Sequence, residues 1–280
     1  MISSTNSRIV IKYLLVVLLA GQAGCGKPVA DHRSPAQRVD ELFAPLTVGV
    51  QPGAAVMVIR DGEILQQSHY GFANLDEATR ITSETNFRLA SVSKQFAGMA
   101  IMLLQEEGRL SYDDPISLYV PGLAVYPGVT IRHVLQHTSG LPDYYDVIDT
   151  SSGYIPTNDD AAILLSDIEK PEFAPGERYE YSNPAYDMLG PVVEAAAGMP
   201  FVDFVRQRIF EPLDMRNSLV HDHTFPDIPN RAIGYDSTAD GFEPNDFDPL
   251  NGIVGSGGIY SSLADMYRWD QALYTEQLVS

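Results

Sequence analysis

Residues 87–96 read FRLASVSKQF, a stretch that sets a serine and a lysine, Ser91 and Lys94, three positions apart. Apolar residues recur at helical spacing from there to Glu107, and Gly108 follows in the position of a left-handed helix cap. The pattern predicts a helix over 91–107 with one buried face. Because residues three apart lie on the same side of a helix, the hydroxyl and the amine are predicted to lie within hydrogen-bonding reach.

A neighbouring hydroxyl and amine can form a nucleophile and its base. Serine attacks a carbonyl efficiently only when a base takes its proton, and a lysine can do so in its neutral form, which desolvation favours. The free N–H groups at a helix start also favour a developing oxyanion. The pair alone does not establish catalysis, since a helix-capping serine beside a solvated lysine has the same spacing.

A second candidate element is Tyr181-Ser182-Asn183, directly before Pro184. A phenol beside a cationic lysine has a lowered pKa and can share the role of general base. An Asn amide can donate to a substrate carbonyl and bind the lysine. Taken singly, Tyr181 also fits a core aromatic residue and Asn183 a helix cap, so the combination of motifs carries the weight.

The rest of the chain is predicted to place strands before helices. A short amphipathic helix is predicted over 36–43, and strands at 53–60 and 63–70, joined by Asp61-Gly62, form an antiparallel hairpin. The region 111–249 is predicted to be mainly helical, with helices at 131–137, 160–169, 184–197 and 201–209. A glycine-rich stretch at 252–258 and a helix capped by Ser262 follow, with no further strand. A lone hairpin does not form a stable sheet, so the strands that would pair with it are missing from this prediction.

Six ordered stretches resemble the class C β-lactamase and penicillin-binding protein family. FRLASVSKQF around Ser91 resembles that family's nucleophile motif, and PGERYEYSNPAYDMLG around Tyr181 resembles its Tyr-x-Asn motif. The other four are similar to its structural landmarks: GRLSYDDPISLYVPG, TIRHVLQHTSGLPDY, FVRQRIFEPLDM and GGIYSSLADMYRWDQAL. Tyr-x-Asn in place of Ser-Asp-Asn points to the class C branch.

The resemblance implies an α/β (α+β) fold of the β-lactamase/transpeptidase type. Such a fold has an antiparallel sheet flanked by helices, here expected at 36–110 and 250–280, and an inserted helical domain, here expected at 111–249. It also implies a mechanism. Ser91 attacks a carbonyl to form an acyl-enzyme, Lys94 and Tyr181 manage the proton, Asn183 holds the substrate amide, and water releases the acid.

The implied substrate is a small molecule or peptide with an amide, a lactam or a short ester, and no cofactor is expected. The sequence does not choose between β-lactamase, carboxypeptidase, D-aminopeptidase and esterase, because these activities share one fold. The oligomeric state is likewise not indicated.

The resemblance ends before the family's third motif. Relatives carry Lys-Thr-Gly or His-x-Gly on a later strand that supplies a second oxyanion N–H, and neither tripeptide occurs after Asn183 in this sequence. We therefore expect a fragment that lacks the C-terminal strands. Losing one oxyanion donor typically costs about a hundredfold to a thousandfold in rate. The alternative hypothesis is a non-catalytic envelope protein that keeps the fold to bind a ligand or partner.

Charge and histidine spacing argue against two other classes of site. The chain has 18 Lys and Arg against 37 Asp and Glu, a net charge of −19, so nucleic acid is not an expected partner. His133 and His137 are four apart, but Val134 occupies the position of a zincin's catalytic Glu. His221-Asp222-His223 fits a solvated loop. No metal site is therefore predicted.

The N-terminus has the pattern of a targeting segment. Two cations precede a short apolar run at 13–20 and two small residues, which predicts a signal peptide over 1–24 and a linker over 25–35. Cys25, the one cysteine, stands where bacterial lipoprotein precursors are cleaved and lipidated, although Gln22 departs from the usual motif. Lipidation with membrane attachment is one expectation and ordinary cleavage is the other. Both predict export to the periplasm or cell envelope.

Overall fold

The computed structural model describes residues 33–148, 154–222, 227–246 and 249–280. The predicted signal peptide, most of the predicted linker, Cys25 and His223 lie outside the described residues. Lipidation of Cys25 and export therefore stay predictions. The division into an α/β part and a helical part also stays a prediction.

The described helices agree with most of the predicted helical stretches. They are α1 (Pro35–Phe43), α2 (Lys94–Glu106), α3 (Ile131–Leu135), α4 (Asn158–Ile168), α5 (Asn183–Asp187), α6 (Leu189–Ala197), α7 (Phe201–Val205) and α8 (Leu263–Ala272). The single helix predicted over 184–197 is two helices, because Met188 has φ −75° and ψ −12°, outside the usual α-helical ψ. A π-helical turn at Arg206–Phe210 continues α7.

The first hairpin is confirmed as predicted, and strands also follow it. The described strands are β1 (Ala54–Arg60), β2 (Glu63–Tyr70), β3 (Phe72–Asn74), β4 (Thr79–Arg80), β5 (Phe87–Arg88), β6 (Leu219–Val220), β7 (Tyr235–Thr238), β8 (Gly241–Pro244) and β9 (Ile259–Ser261). β1 pairs with β2 antiparallel, and both turn residues, Asp61 and Gly62, have positive φ. The hairpin also contains a His-x-Gly tripeptide, His69-Tyr70-Gly71, upstream of Ser91.

The prediction that no strand follows the first hairpin is wrong. β7 and β8 form a second antiparallel hairpin, and β9 is the centre of a three-stranded antiparallel sheet with the order β5-β9-β6. These later strands have two to four residues each. Alternation between polar and apolar residues needs about four to eight positions to be recognisable, so the sequence pattern missed them.

The hydrophobic core packs one face of α2 against α6, α7 and α8. Phe96 on α2 is fully buried, and its ring centroid lies 4.3 Å from that of Trp269 and 5.6 Å from that of Phe210. Phe201 and Phe204 are buried in the same cluster. Because aromatic packing of this kind restricts a helix strongly, the residues at the start of α2 have a fixed position.

Within the described ranges, no single helix combines the length and the apolar character needed to cross a membrane. One helix pair, Asn183–Ala197 with Phe201–Phe210, meets both criteria jointly, with a bend of 79° between its halves. Many residues of this pair belong to the buried core.

Candidate active site

Ser91 lies in a short 3-10 turn, Ala90–Ser93, that leads directly into α2. The α-helix itself begins at Lys94, one turn later than the sequence pattern predicts. The first residue of the turn has φ 46°, in the left-handed region that residues other than glycine rarely adopt. Strained backbone of this kind is concentrated at functional sites. The turn leaves the Ser91 side chain exposed.

β9 holds this turn on both sides of the serine. The Leu89 N–H donates to the Ile259 carbonyl at 2.9 Å, and the Ile259 N–H donates to Ser93 Oγ at 3.2 Å. The second serine of the motif is therefore structural, and it is 1% exposed. A strand that the sequence pattern did not predict thus fixes the position of Ser91.

Lys94 is buried, with 8% of its surface exposed, and its amine joins three segments of the chain. Nζ donates to Ser91 Oγ at 3.2 Å, to Asn183 Oδ1 at 2.8 Å and to the Ser256 carbonyl at 2.9 Å. All three acceptors are neutral oxygens. The structure therefore contradicts the alternative interpretation of this motif as a capping serine beside a solvated lysine.

Tyr181 reaches the same point from a segment 90 residues further along the chain. Its Oη donates to Ser91 Oγ at 2.8 Å, and its ring centroid lies 5.0 Å from Lys94 Nζ. The ring is 49% exposed, so Tyr181 is not a core aromatic residue. Burial raises the pKa of the phenol, but contacts with Lys94 and Ser91 outweigh burial, and the pKa lies below the ordinary value of 10.0.

Asn183 is the first residue of α5 and does not cap it. The cap is Ser182, whose hydroxyl accepts from the Ala185 N–H at 3.1 Å. Pro184 at the following position suits a helix start, because its missing N–H would have no partner there. The capping serine leaves the Asn183 amide available to accept from Lys94. The structure thus brings all four predicted site residues together.

The ring of His137 packs against the ring of Tyr181. Its ring centroid lies 4.6 Å from that of Tyr181 and 4.7 Å from that of Tyr186, and its Nδ1 accepts from the Ser182 N–H at 3.1 Å. Burial and then the charge of Lys94 lower the pKa of His137, which favours the neutral ring that this hydrogen bond requires. The spacing of His137 from His133 raised only the question of a metal ligand, and the sequence pattern did not indicate this contact with Tyr181. No group of three or more His, Cys, Asp or Glu suited to a metal ion occurs in the described part of the chain.

A cavity of about 250 Å³ opens beside Ser91. Arg88, Tyr145, Asn183 and Ser256 are among the residues that line it. Tyr145 and Ser256 were not among the predicted site residues, since neither is part of the two motifs around Ser91 and Tyr181. The glycine-rich stretch around Ser256 was the available signal, because glycines allow a close backbone approach. The cavity wall thus contains Ser91 together with the Asn183 amide and the Arg88 guanidinium.

Gly255 sets the path of the segment that brings the Ser256 carbonyl to Lys94. Its φ is 111°, and a Cβ there would lie 2.4 Å from the Tyr186 carbonyl oxygen. Gly255→Ala is therefore expected to lower the free energy of unfolding by about 1–3 kcal/mol. Gly257→Ala is the matched control, because a Cβ at Gly257 meets nothing within 4 Å. Urea unfolding followed by circular dichroism measures both, and equal losses in the two variants would contradict this account.

Comparison with known proteins places these features in a family. The Beta-lactamase family model matches residues 39–280. A penicillin-binding protein of Bacillus subtilis (strain 168) is 35% identical over 258 residues, which cover 87% of this chain and 57% of that protein. Two further relatives are covered over 55% and 41% of their lengths. The chain thus spans about half the length of the curated relatives it matches.

Solved structures share the fold. The octameric penicillin-binding protein homologue from Pyrococcus abyssi has a TM-score of 0.74 and 31% identity, with 87% of this chain and 56% of that chain covered. D-amino acid amidase from Ochrobactrum anthropi SV3, complexed with L-phenylalanine amide, has a TM-score of 0.73 and 28% identity, with 86% of this chain and 69% of that chain covered. The predicted fold class is confirmed. The chain belongs to the β-lactamase/transpeptidase-like family of serine hydrolases and penicillin-binding protein homologues.

Proposed function

We propose that this chain is a serine hydrolase that acts through an acyl-enzyme, with Ser91 as the nucleophile. One observation carries the proposal: Lys94 Nζ and Tyr181 Oη both lie within hydrogen-bonding distance of Ser91 Oγ, at 3.2 Å and 2.8 Å. In its unprotonated form, either group can take the proton of the attacking hydroxyl. The lowered pKa of Tyr181 supports its part in this role.

The proposed reaction has two steps. In the first, Ser91 Oγ forms a bond to the substrate carbonyl carbon, and its proton passes to Tyr181 Oη or Lys94 Nζ. The C–N or C–O bond of the substrate then breaks, and the same proton goes to the departing amine or alkoxide. In the second step a water molecule attacks the ester, its proton returns to Ser91 Oγ, and the carboxylic acid leaves.

Asn183 is proposed to hold the substrate. Its Oδ1 accepts from Lys94, so its Nδ2 hydrogens are the donors left to bind a substrate carbonyl. Asn183 also lines the cavity together with Ser91. An amide donor beside the nucleophile suits a small molecule or peptide with an amide, a lactam or a short ester. Two of the similar proteins, a penicillin-binding protein and a D-amino acid amidase, support this range.

A substrate panel tests the proposed function. The panel contains a chromogenic cephalosporin, a nitrophenyl ester and a peptide ending in D-Ala-D-Ala, each mixed with the purified chain. Product release is expected from at least one substrate. For the ester we expect an initial burst that approaches the enzyme concentration, because nitrophenoxide is a good leaving group and acylation is then faster than hydrolysis of the acyl-enzyme. Failure to release product from all three substrates would contradict the proposal and favour a non-catalytic binding role.

A further inference from the structure

A fully buried carboxyl group lies beside the site and has no part in the proposed bond changes. Asp187, the last residue of α5, is 0% exposed. Its Oδ2 accepts from Tyr144 Oη at 2.6 Å and from Tyr145 Oη at 3.1 Å, whereas its Oδ1 is buried without a hydrogen-bond partner. A buried oxygen of this kind destabilises a fold and needs a specific explanation.

Asp187 is connected to the active site through two residues of the cavity wall. Tyr145 and Ser256 both line the cavity beside Ser91. Tyr145 donates to the carboxylate, and the Ser256 hydroxyl lies close enough to lower the pKa of Asp187. The carbonyl of the same Ser256 accepts from Lys94. The Asp187 carboxyl group is therefore next to Tyr145 and Ser256 of the cavity wall, and Ser256 in turn binds the Lys94 amine.

Asn158 links the end of α5 to the segment that precedes Ser256. Its Nδ2 donates to the Asp187 carbonyl at 2.6 Å and to the Val254 carbonyl at 2.8 Å, and its Oδ1 accepts from the Val254 N–H at 3.0 Å. The end of α5 and the segment before Ser256 are thus held together by three hydrogen bonds. Asp187 consequently has a fixed position relative to the site.

The charges around Asp187 give the carboxylate an electrostatic role. A buried ammonium with only neutral acceptors is costly unless a negative group lies nearby. Burial outweighs the lowering effect of nearby hydroxyls and of the Lys94 charge and raises the pKa of Asp187 to about 6, so the carboxylate is the main form at pH 7. Several charged or titratable groups face Asp187, directly or through its two tyrosine donors. They are Lys94 from α2, then Asp143, Tyr144 and Tyr145 from the segment after α3, and Tyr181 from the segment before α5.

We propose that Asp187 is a positioning residue of this site: its carboxylate holds Tyr145 in the cavity wall and is the buried counter-charge of Lys94. The inference rests on the proposed function, because it assigns Lys94 and Tyr181 a proton to move. Asp187 acts through these groups and does not touch the substrate.

The substitution Asp187→Asn removes the charge and keeps the shape. The Asn Oδ1 can accept from both tyrosines, and its Nδ2 can donate to the nearby Ser256 hydroxyl. Ionisation of a carboxyl with a raised pKa opposes folding above its unfolded pKa of 3.8, so the variant's Tm at pH 7 is not expected to fall. Without the negative charge, the base that takes the Ser91 proton holds a proton less tightly. The acid limb of kcat/KM is therefore expected to move to lower pH by about one unit.

Asp143→Asn is the matched control. Asp143 is exposed in the same segment, and its Oδ1 accepts from the Tyr145 N–H at 2.9 Å, which Asn Oδ1 can also do. At about 0.15 M salt its exposed charge is screened, so its acid limb should coincide with that of the wild type. Tyr145→Phe is the second variant, with a severalfold increase in KM expected as the cavity wall loses its anchor.

Three results would overturn the inference while the proposed function stands. They are an unshifted limb in Asp187→Asn, an equal shift in Asp143→Asn, and an unchanged KM in Tyr145→Phe, each with an active wild-type chain. Absence of turnover in the wild-type chain itself would overturn the proposed function. The two failures are therefore distinguishable in one set of pH profiles.

Discussion

Ser91→Ala is expected to lower kcat/KM at least about a thousandfold for every substrate that the chain hydrolyses. The substitution removes the oxygen that both Lys94 and Tyr181 contact, and loss of a nucleophile leaves only the contributions of binding and oxyanion stabilisation. Because Ser91 is exposed, the free energy of unfolding should change by less than about 0.5 kcal/mol. Steady-state kinetics and urea unfolding measure the two effects.

Ser93→Ala is the control, and this variant is expected to lose stability but to keep its activity. Ser93 belongs to the same turn, but its buried hydroxyl accepts from the Ile259 N–H. Its removal is expected to cost about 1–3 kcal/mol of stability, because a buried donor loses its partner, while an acyl-enzyme still forms. An active Ser91→Ala variant would show that the nucleophile lies elsewhere.

Lys94→Arg is expected to be about as inactive as Lys94→Ala, with kcat/KM lower by a factor of about a hundred to ten thousand. Arginine keeps the positive charge but cannot release its proton in a protein, so it cannot take the proton of Ser91. Its planar guanidinium also cannot reproduce the three contacts of a single nitrogen. The comparison separates proton transfer from charge alone.

Lys170→Ala is the control for the loss of a lysine charge. Lys170 is exposed, follows α4 and does not line the cavity beside Ser91, so its removal should leave kcat/KM unchanged. Substantial activity in Lys94→Arg would mean that a positive charge suffices at this position. Lys94 would then stabilise charge without accepting a proton.

The sequence predicted the local elements of the fold well. The Asp61-Gly62 turn and its hairpin, the helix that follows Ser91 and the Ser262 cap of α8 all depend on neighbouring residues, and the structure has each of them. β9 could not be predicted in this way. Its three residues carry no alternation, and its pairing with β5 joins positions more than a hundred residues apart.

The contacts of the candidate site are likewise of two kinds, those that local spacing predicts and those that depend on the tertiary fold. The spacing of Ser91 and Lys94 predicts their contact, because one helical turn brings them together. The approach of Tyr181 depends on the tertiary fold, and only the resemblance to a family indicated it. Ser256 contacts Lys94 through its backbone carbonyl, which any residue type possesses, so no side-chain motif could identify it. Asp187 gave one signal that was overlooked, an acid within the apolar stretch that forms α5 and α6.

Lys94 and Tyr181 are proposed to activate Ser91 for attack on a carbonyl. Incubation of the chain with a penicillin, followed by intact-mass measurement and peptide mapping, tests this activation. Lactam opening releases no fragment, so we predict a mass increase of one whole penicillin, located on the peptide that contains Ser91 and absent from Ser91→Ala. A penicillin adduct on a peptide without Ser91, or an adduct of equal yield on Ser91→Ala, would contradict it.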